Sequence, residues 1–186
     1  GIYLYDKNIF EAVNNIKPSP RGELEISDAH QYLLDKGFNL SYSEITGWWK
    51  DTGKPSDLLD ANRLVLDNIK SDITGSVDKN STISGRVKIG SNSRVTNSNI
   101  RGPAVIGDNT IIEKSYVGPY SAIGKGCTIS GSEVEYSIIM DGCQINQVQR
   151  RIESSLLGND VEILRSKTRP ATHRFMLGDQ SRIEIE

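Results

Sequence analysis

Few side chains in this sequence could do chemistry. The histidines are His30 and His173, and the cysteines are Cys127 and Cys143. Two cysteines cannot build a disulfide framework, and their spacing to the histidines does not fit a zinc site. The sequence therefore excludes a structural zinc, and the remaining candidates are charged residues in loops.

Two polar segments hold these charged candidates. Residues 21–28 read Arg-Gly-Glu-Leu-Glu-Ile-Ser-Asp, and residues 49–53 read Trp-Lys-Asp-Thr-Gly. Taken alone, Arg21 beside a glycine is typical of a solvated loop, and Asp51 before Thr-Gly is typical of a turn or cap. A function for either residue depends on the two segments occurring together.

Composition excludes several classes of partner. The 186 residues contain 22 Lys and Arg against 24 Asp and Glu, a net charge of −2. Without a polybasic run, binding to nucleic acid or to an anionic membrane is not predicted. No apolar stretch reaches the roughly 18 residues of a membrane span, and no signal peptide pattern is present. We therefore predict a cytoplasmic protein with no membrane partner.

The second half of the sequence is a repeat. The motif aliphatic-Gly-x-x-small-x-aliphatic starts at Ile89, Ile106 and Ile123, with 17 residues between starts, and further aliphatic residues lie about six apart between them. This spacing predicts short strands joined by corners, with three strands to a coil. Stacked coils would place these isoleucines in one buried column. Later copies start at Ile139, Leu157 and Leu177.

The same register positions the cysteines. Cys127 and Cys143 fall at the small-residue corner that Ser93 and Thr110 occupy in other coils. We predict that both are buried, stacked on adjacent coils, and present as free thiols.

The first seventy residues read as an incomplete α/β domain. The predicted helices are 9–16, 29–36 (closed by Gly37) and one that begins with Pro55 in its first turn; the predicted strands are 1–6 and 38–45. Two strands and three helices cannot close a doubly wound sheet. We therefore predict the C-terminal part of a longer enzyme, with domains at 1–70 and 71–186.

The two loop segments, in this order, resemble the sugar-phosphate nucleotidylyltransferase family, in particular its long-form glucose-1-phosphate thymidylyltransferase branch. Residues 1–6 match the strand that precedes the first loop in that branch, and the coils resemble the left-handed parallel β-helix of hexapeptide-repeat proteins. The resemblance implies an α/β fragment, the end of a doubly wound domain, followed by an all-β left-handed β-helix.

This resemblance also implies a reaction and its site residues. The family couples a sugar 1-phosphate, here glucose 1-phosphate, to a nucleoside triphosphate, here dTTP, and releases pyrophosphate. Arg21 would contact the sugar phosphate, Asp51 would bind Mg²⁺, and Glu23 would shape the sugar pocket or cap a helix. Asp28 is predicted as the cap of the second helix. The family's Gly-rich nucleotide loop and second metal-binding Asp are absent from these 186 residues, so the chain alone is expected to be inactive.

Two other functions remain open for the repeat region. Many β-helices of this type are acyltransferases, and an acetyl-coenzyme A-dependent amino-sugar-phosphate acetyltransferase would need a general base, for which His173 is the candidate. His173 lies among Lys167, Arg169 and Arg174, which equally suit a solvated surface loop. The coils could instead serve assembly of a homo-oligomer, with a trimer as the common form of such prisms.

Overall fold

The structure is a computed structural model that describes residues 2–47, 49–166, 172–179 and 181–185. The chain forms two compact units, Gly1–Trp49 and Lys50–Glu186. Each unit has its own hydrophobic cluster, a small one in the first and a long one in the second.

Two helices form the core of the first unit. Helix α1 spans Asn8–Asn15 and helix α2 spans Ile26–Asp35. Their contact buries Ala12 of α1 together with Ala29 and Leu33 of α2. Both helices predicted for this region are therefore confirmed.

Helix α2 begins three residues earlier than the sequence predicts. Because the helix starts at Ile26, its N-cap position is Glu25, and Asp28 lies in the first turn. The prediction that Asp28 is the cap was therefore wrong. Its carboxylate still lies at the end of the helix where the macrodipole favours negative charge.

The other end of α2 is closed as predicted. Gly37 has a φ of +81°, a left-handed conformation that glycine adopts without strain. Its amide donates to the carbonyl of Leu34, and the amide of Phe38 donates to the carbonyl of Leu33. These two bonds form the Schellman motif, which satisfies carbonyls at the end of the helix.

The two strands predicted in the first unit are not formed. Residues 2–6 and 38–45 have no strand assignment, and no described residue pairs with them in a ladder. A strand is defined by hydrogen bonds to a neighbour, so an apolar pattern alone does not produce one. The side chains of Ile2 and Leu4 are accordingly 76% and 95% exposed.

The second unit is a three-sided parallel β-helix of the left-handed type. Each strand pairs in parallel with the strand three places along the chain, so that consecutive strands lie on different sides. This confirms the fold predicted for the repeat region. The strands of the first side are β1 Asp72–Ile73, β4 Val87–Ile89, β7 Ala104–Ile106, β10 Ser121–Ile123, β13 Ile138–Ile139 and β16 Leu156–Leu157. Those of the second side are β2 Ser76–Val77, β5 Arg94–Thr96, β8 Ile111–Glu113, β11 Thr128–Ser130, β14 Gln144–Asn146 and β17 Glu162–Leu164. Those of the third side are β3 Thr82–Ser84, β6 Asn99–Arg101, β9 Tyr116–Val117, β12 Glu133–Glu135 and β15 Ile152–Glu153.

The predicted isoleucine column is present. Ile106 lies in register with Ile89 on one neighbouring coil and with Ile123 on the other. All three side chains are at most 2% exposed. Equivalent columns of Val and Ile run down the other two sides, and together these columns fill the interior of the prism.

Small side chains link the coils at one corner. The amide of Cys127 donates to Oγ1 of Thr110 on the preceding coil at 3.2 Å. The thiol of Cys127 lies 3.1 Å from the carbonyl oxygen of Met140 on the following coil. Cys127 and Cys143 are both fully buried and free, which confirms their prediction, and burial raises the pKa of both thiols.

A second corner carries a ladder of serines. The amide of Ser115 donates to Oγ of Ser98, and the amide of Ser132 donates to Oγ of Ser115. Each hydroxyl also donates to a carbonyl two residues earlier in its own coil. Each serine therefore satisfies an amide of the next coil that the corner would otherwise leave unpaired.

Ser121 on the first side provides a test of this ladder. Its hydroxyl is buried and has no hydrogen-bond partner among the described residues. We expect Ser115→Ala to lower the free energy of unfolding by about 2 kcal/mol, because it leaves the Ser132 amide unpaired. Ser121→Ala removes a hydroxyl without a partner and should be neutral or slightly stabilising. Urea unfolding followed by circular dichroism measures both, and an equal loss in the two variants would refute the role given to the ladder.

The last predicted copy of the repeat, starting at Leu177, does not continue the ladder. No strand is assigned among described residues 172–179 and 181–185, and Leu177 and Ile183 are 58% and 45% exposed. The paired coils therefore end at β17, and this part of the prediction was wrong.

Helix α3 spans Pro55–Leu66 and lies in the second unit. Pro55 occupies its first turn, as predicted. Near the end of the helix, Leu66 is buried, whereas Val65 is 55% exposed. Asn62 of α3 is half-buried, and its side-chain amide donates to the carbonyl of Tyr120 on the coils at 2.9 Å. Packing thus groups α3 with the coils, although the sequence boundary at residue 70 assigns it to the α/β domain.

Candidate functional site

Arg21 lies in a tight turn between α1 and α2. The amide of Gly22 donates to the carbonyl of Ser19, and the amide of Ser19 donates to the carbonyl of Glu23. The amide of Arg21 itself donates to Oγ of Ser19 at 3.2 Å. With the backbone fixed in this way, the Arg21 side chain extends into solvent and is 71% exposed.

The guanidinium of Arg21 pairs with Glu25. Nη2 and Nε lie 2.7 and 3.2 Å from Oε1 of that carboxylate. This hydrogen bond is the largest cause that lowers the pKa of Glu25, and it raises the pKa of Arg21. An exposed pair of this kind is weak, so an incoming phosphate, with its greater charge, can displace Glu25 from the guanidinium.

Glu23 is exposed on the same turn. The structure therefore brings Arg21 and Glu23 to one loop, as the sequence predicts. Glu23 holds the turn through its backbone carbonyl rather than its side chain. The sequence alternative that Glu23 caps α2 does not apply, because the N-cap position belongs to Glu25.

Asp51 lies in the second unit, on the segment that leads into α3. It is exposed, and its carboxylate has no hydrogen bond or ion pair with the described residues. A carboxylate with both oxygens free suits a hard cation such as Mg²⁺, which commonly takes one or two carboxylates and completes its shell with water and substrate phosphates. No group of three or more His, Cys, Asp or Glu side chains among the described residues is arranged to hold a metal.

The neighbour of Asp51, Lys50, is fixed by two carboxylates of α3. Its Nζ lies 3.3 Å from Oδ1 of Asp57 and 3.0 Å from Oδ2 of Asp60. Hydrogen bonds to Asp60 and then Asp57 raise the pKa of Lys50, and the bond from Lys50 is the largest cause that lowers the pKa of Asp60. This group was not predicted from the sequence. Its signal was a lysine followed, on the next helix, by acidic residues three apart.

His173 is exposed on a segment without helix or strand. Its ring stacks on that of Phe175, with 5.9 Å between the ring centroids. Of the cations predicted around it, Arg174 is exposed, and Lys167 and Arg169 lie outside the described residues. Among the described residues, His173 has no carboxylate partner that would orient it as a general base.

The coils carry an open, polar groove of about 510 Å³ along the serine corner. Lys114, Tyr116 and Glu133 are among its lining residues, whereas Asp51 and His173 are not. The ring of Tyr116 is covered by the Arg151 guanidinium, which lies 5.0 Å from its centroid and also binds Glu133.

No described helix is long and apolar enough to cross a bilayer.

Comparison with known proteins gives consistent matches. The family described as nucleotidyl transferase matches residues 1–68. The glucose-1-phosphate thymidylyltransferases of Streptomyces antibioticus and Streptomyces griseus are 47% and 45% identical over all of this chain and 52% of their own length. The low-salt glycan biosynthesis nucleotidyltransferase Agl11 of Haloferax volcanii is 43% identical, again over 100% of this chain and 52% of its own.

The chain thus spans about half the length of the curated relatives it matches. The matches run across both units of this chain. Along its whole length, this chain is therefore related to the glucose-1-phosphate thymidylyltransferases, which confirms the resemblance based on the two loop segments and the repeat.

Proposed function

We propose that the protein containing this chain transfers a nucleotidyl group, dTMP from dTTP, to glucose 1-phosphate. The observation that carries the proposal is the 47% identity to a glucose-1-phosphate thymidylyltransferase over all 186 residues. A phosphate oxygen of the sugar 1-phosphate attacks the α-phosphorus of dTTP. The bond from that phosphorus to the bridging oxygen breaks, and pyrophosphate leaves.

Three residues of this chain would serve that reaction. The exposed Arg21 guanidinium would bind two oxygens of the sugar phosphate, with Glu23 on the same turn contacting the sugar. The free carboxylate of Asp51 would be one ligand of a divalent metal, which we propose is Mg²⁺. When bound, that ion would neutralise charge on the phosphates. The nucleotide loop typical of the family is absent from these 186 residues, so we expect no activity from the chain alone.

Acyl transfer at His173 is not favoured. Its exposed ring stacks on Phe175, and the three relatives reported above, which match this chain over its whole length, are named thymidylyl- and nucleotidyltransferases. For the coils we propose a role in homo-oligomer assembly, since apolar side chains such as Ile111 and Met140 remain 42% and 45% exposed on their surface.

The function is tested by substitution of Asp51 in the complete protein. We expect Asp51→Asn to lower kcat/KM by about 100-fold, because an amide is a poorer ligand for a hard cation than a carboxylate. Pyrophosphate release from dTTP and glucose 1-phosphate measures this, with other nucleoside triphosphates and sugar 1-phosphates assayed in parallel. Asp179→Asn, on an exposed turn far along the sequence, is the control. The proposal would be refuted if the unmodified protein released no pyrophosphate with any pair of nucleoside triphosphate and sugar 1-phosphate assayed.

A further inference from the structure

The loop that carries Asp51 is held at both ends by one carboxylate. The carboxylate is that of Asp57, in the first turn of α3. Its Oδ1 lies 3.3 Å from Nζ of Lys50, the residue before the loop. Its Oδ2 accepts a hydrogen bond of 3.0 Å from the backbone amide of Lys54, the residue after the loop. The three residues between, 51–53, are thereby closed into a short bracket whose ends cannot move apart without breaking one of these contacts.

A second carboxylate connects this bracket to the β-helix. Asp60 lies one turn further along α3, and its Oδ2 lies 3.0 Å from Nζ of Lys50. Its other oxygen, Oδ1, accepts a hydrogen bond of 3.2 Å from the hydroxyl of Tyr136, on the corner between β12 and β13. A continuous path of polar contacts therefore runs from the loop to the coils.

The helix that carries both carboxylates is itself attached to two adjacent coils. The hydroxyl of Tyr120, one coil before Tyr136, donates to Oδ1 of Asp67 just beyond the end of α3 at 3.0 Å. The rings of Tyr120 and Tyr136 meet edge to face with 6.1 Å between their centroids. Together with the bond from Asn62 to the Tyr120 carbonyl, these contacts fix α3 on the coils at separate points.

This arrangement has two consequences for Asp51. A metal ligand has to be held within about 0.5 Å of its working position, which an unsupported loop does not provide. In addition, Lys50 directly precedes Asp51 in the sequence, and its ammonium pairs with Asp57 and Asp60 rather than with Asp51. Because Asp57 and Asp60 engage that ammonium, the Asp51 carboxylate is left free.

We propose that Asp57 and Asp60 are positioning residues for Asp51, and that Tyr136 connects this loop to the β-helix. The inference rests on the proposed function, since it assigns to these residues the task of presenting Asp51 to a divalent metal. It also gives the coils a part in the reaction, because one of their side chains completes the support of the metal-binding loop.

The test uses the complete protein with Asp57→Asn and Lys50→Met, which break the bracket from its two sides. In both variants we expect the Mg²⁺ concentration for half-maximal activity to rise about tenfold, with KM for the sugar 1-phosphate unchanged. Two readouts do not depend on turnover. Mn²⁺ affinity measured by electron paramagnetic resonance should fall about tenfold, and hydrogen exchange at residues 51–54 of the metal-free protein should accelerate.

Two further variants separate positioning from simple packing. Lys50→Arg keeps a cation that can pair with both carboxylates, so its Mg²⁺ response should match that of the unmodified protein and not that of Lys50→Met. Glu133→Gln removes a carboxylate that binds Arg151 rather than Lys50 or a described residue of α3, so it should leave the Mg²⁺ response and the exchange at residues 51–54 unchanged.

The outcomes distinguish this inference from the function on which it rests. If Asp51→Asn leaves activity intact, the metal role of Asp51 in the proposed function is wrong. If Asp51→Asn inactivates the protein while Lys50→Met leaves Mn²⁺ affinity and exchange unchanged, the positioning role is overturned and the metal role stands. Lys50→Met decides the matter even if Asp57→Asn fails to fold.

Discussion

Replacement of Gly107 by alanine is expected to lower the free energy of unfolding of the β-helix by about 3 kcal/mol. A Cβ atom at this position would lie 2.6 Å from the carbonyl carbon of Gly124 and 2.7 Å from its oxygen. Both atoms belong to the backbone of the next coil, so no side chain can move aside. The clash is relieved only if the coils separate, which stretches the 2.8 Å bond from the Gly107 amide to the carbonyl of Ile123.

The chain contains a matched control for this substitution. Gly158 occupies the same corner on the last coil, and a Cβ atom there would have no heavy atom within 4 Å. Gly158→Ala should therefore change the free energy of unfolding by less than about 1 kcal/mol. Alanine restricts the unfolded chain more than glycine does, and this offsets any small loss of stability in the folded state. Urea unfolding followed by circular dichroism compares the two. Similar losses in both variants would contradict the explanation by close approach of coils.

Replacement of Ile129 by alanine is expected to cost about 4 kcal/mol. Ile129 is fully buried, and its strand pairs with Ile112 on one side and Ile145 on the other. Coils above and below hold the surrounding backbone by ladder hydrogen bonds, so the interior cannot collapse into the space left by the lost side chain. The cavity therefore remains, and its cost adds to that of the lost apolar burial.

Ile163 on β17 is the corresponding control. It belongs to the same column but is only partly buried, and its paired neighbour on the described coils is Ile145 alone. Ile163→Ala should cost about half as much, roughly 2 kcal/mol, since the end of the prism can relax. The shift in urea midpoint at constant slope measures both variants. An effect at Ile163 as large as that at Ile129 would show that the coils do not differ in packing as described.

The coils could be predicted from the sequence because a repeat of short period determines which residues point inward. A 17-residue interval between Ile89, Ile106 and Ile123 defines which side chains point inward, and the small residues at the corners follow from the same register. That register alone was therefore enough to assign Cys127 and Cys143 to a buried stack. The hand of the coils came from the family resemblance, since spacing alone does not contain it.

Contacts between distant residues explain the predictions that failed or were not made. The apolar patterns at residues 2–6 and 38–45 suggest strands, but a strand exists only with a partner, and the sequence does not name one. The same applies to the bond between Asp60 and Tyr136, which are 76 positions apart. Arg21 and Asp51 were predicted from motifs, whereas the contact of Tyr136 with Asp60 becomes visible only when α3 is packed against the coils.

The serine ladder has a consequence for how this domain changes in length. Ser98, Ser115 and Ser132 form hydrogen bonds within their own coil and to adjacent coils, and the apolar columns are likewise built from neighbours. Duplication or deletion of one whole coil would thus join two surfaces that already match, whereas a gain of a few residues within a strand would shift every inward position after it. Over evolutionary time, we expect the solenoid to lengthen and shorten in steps of one complete turn.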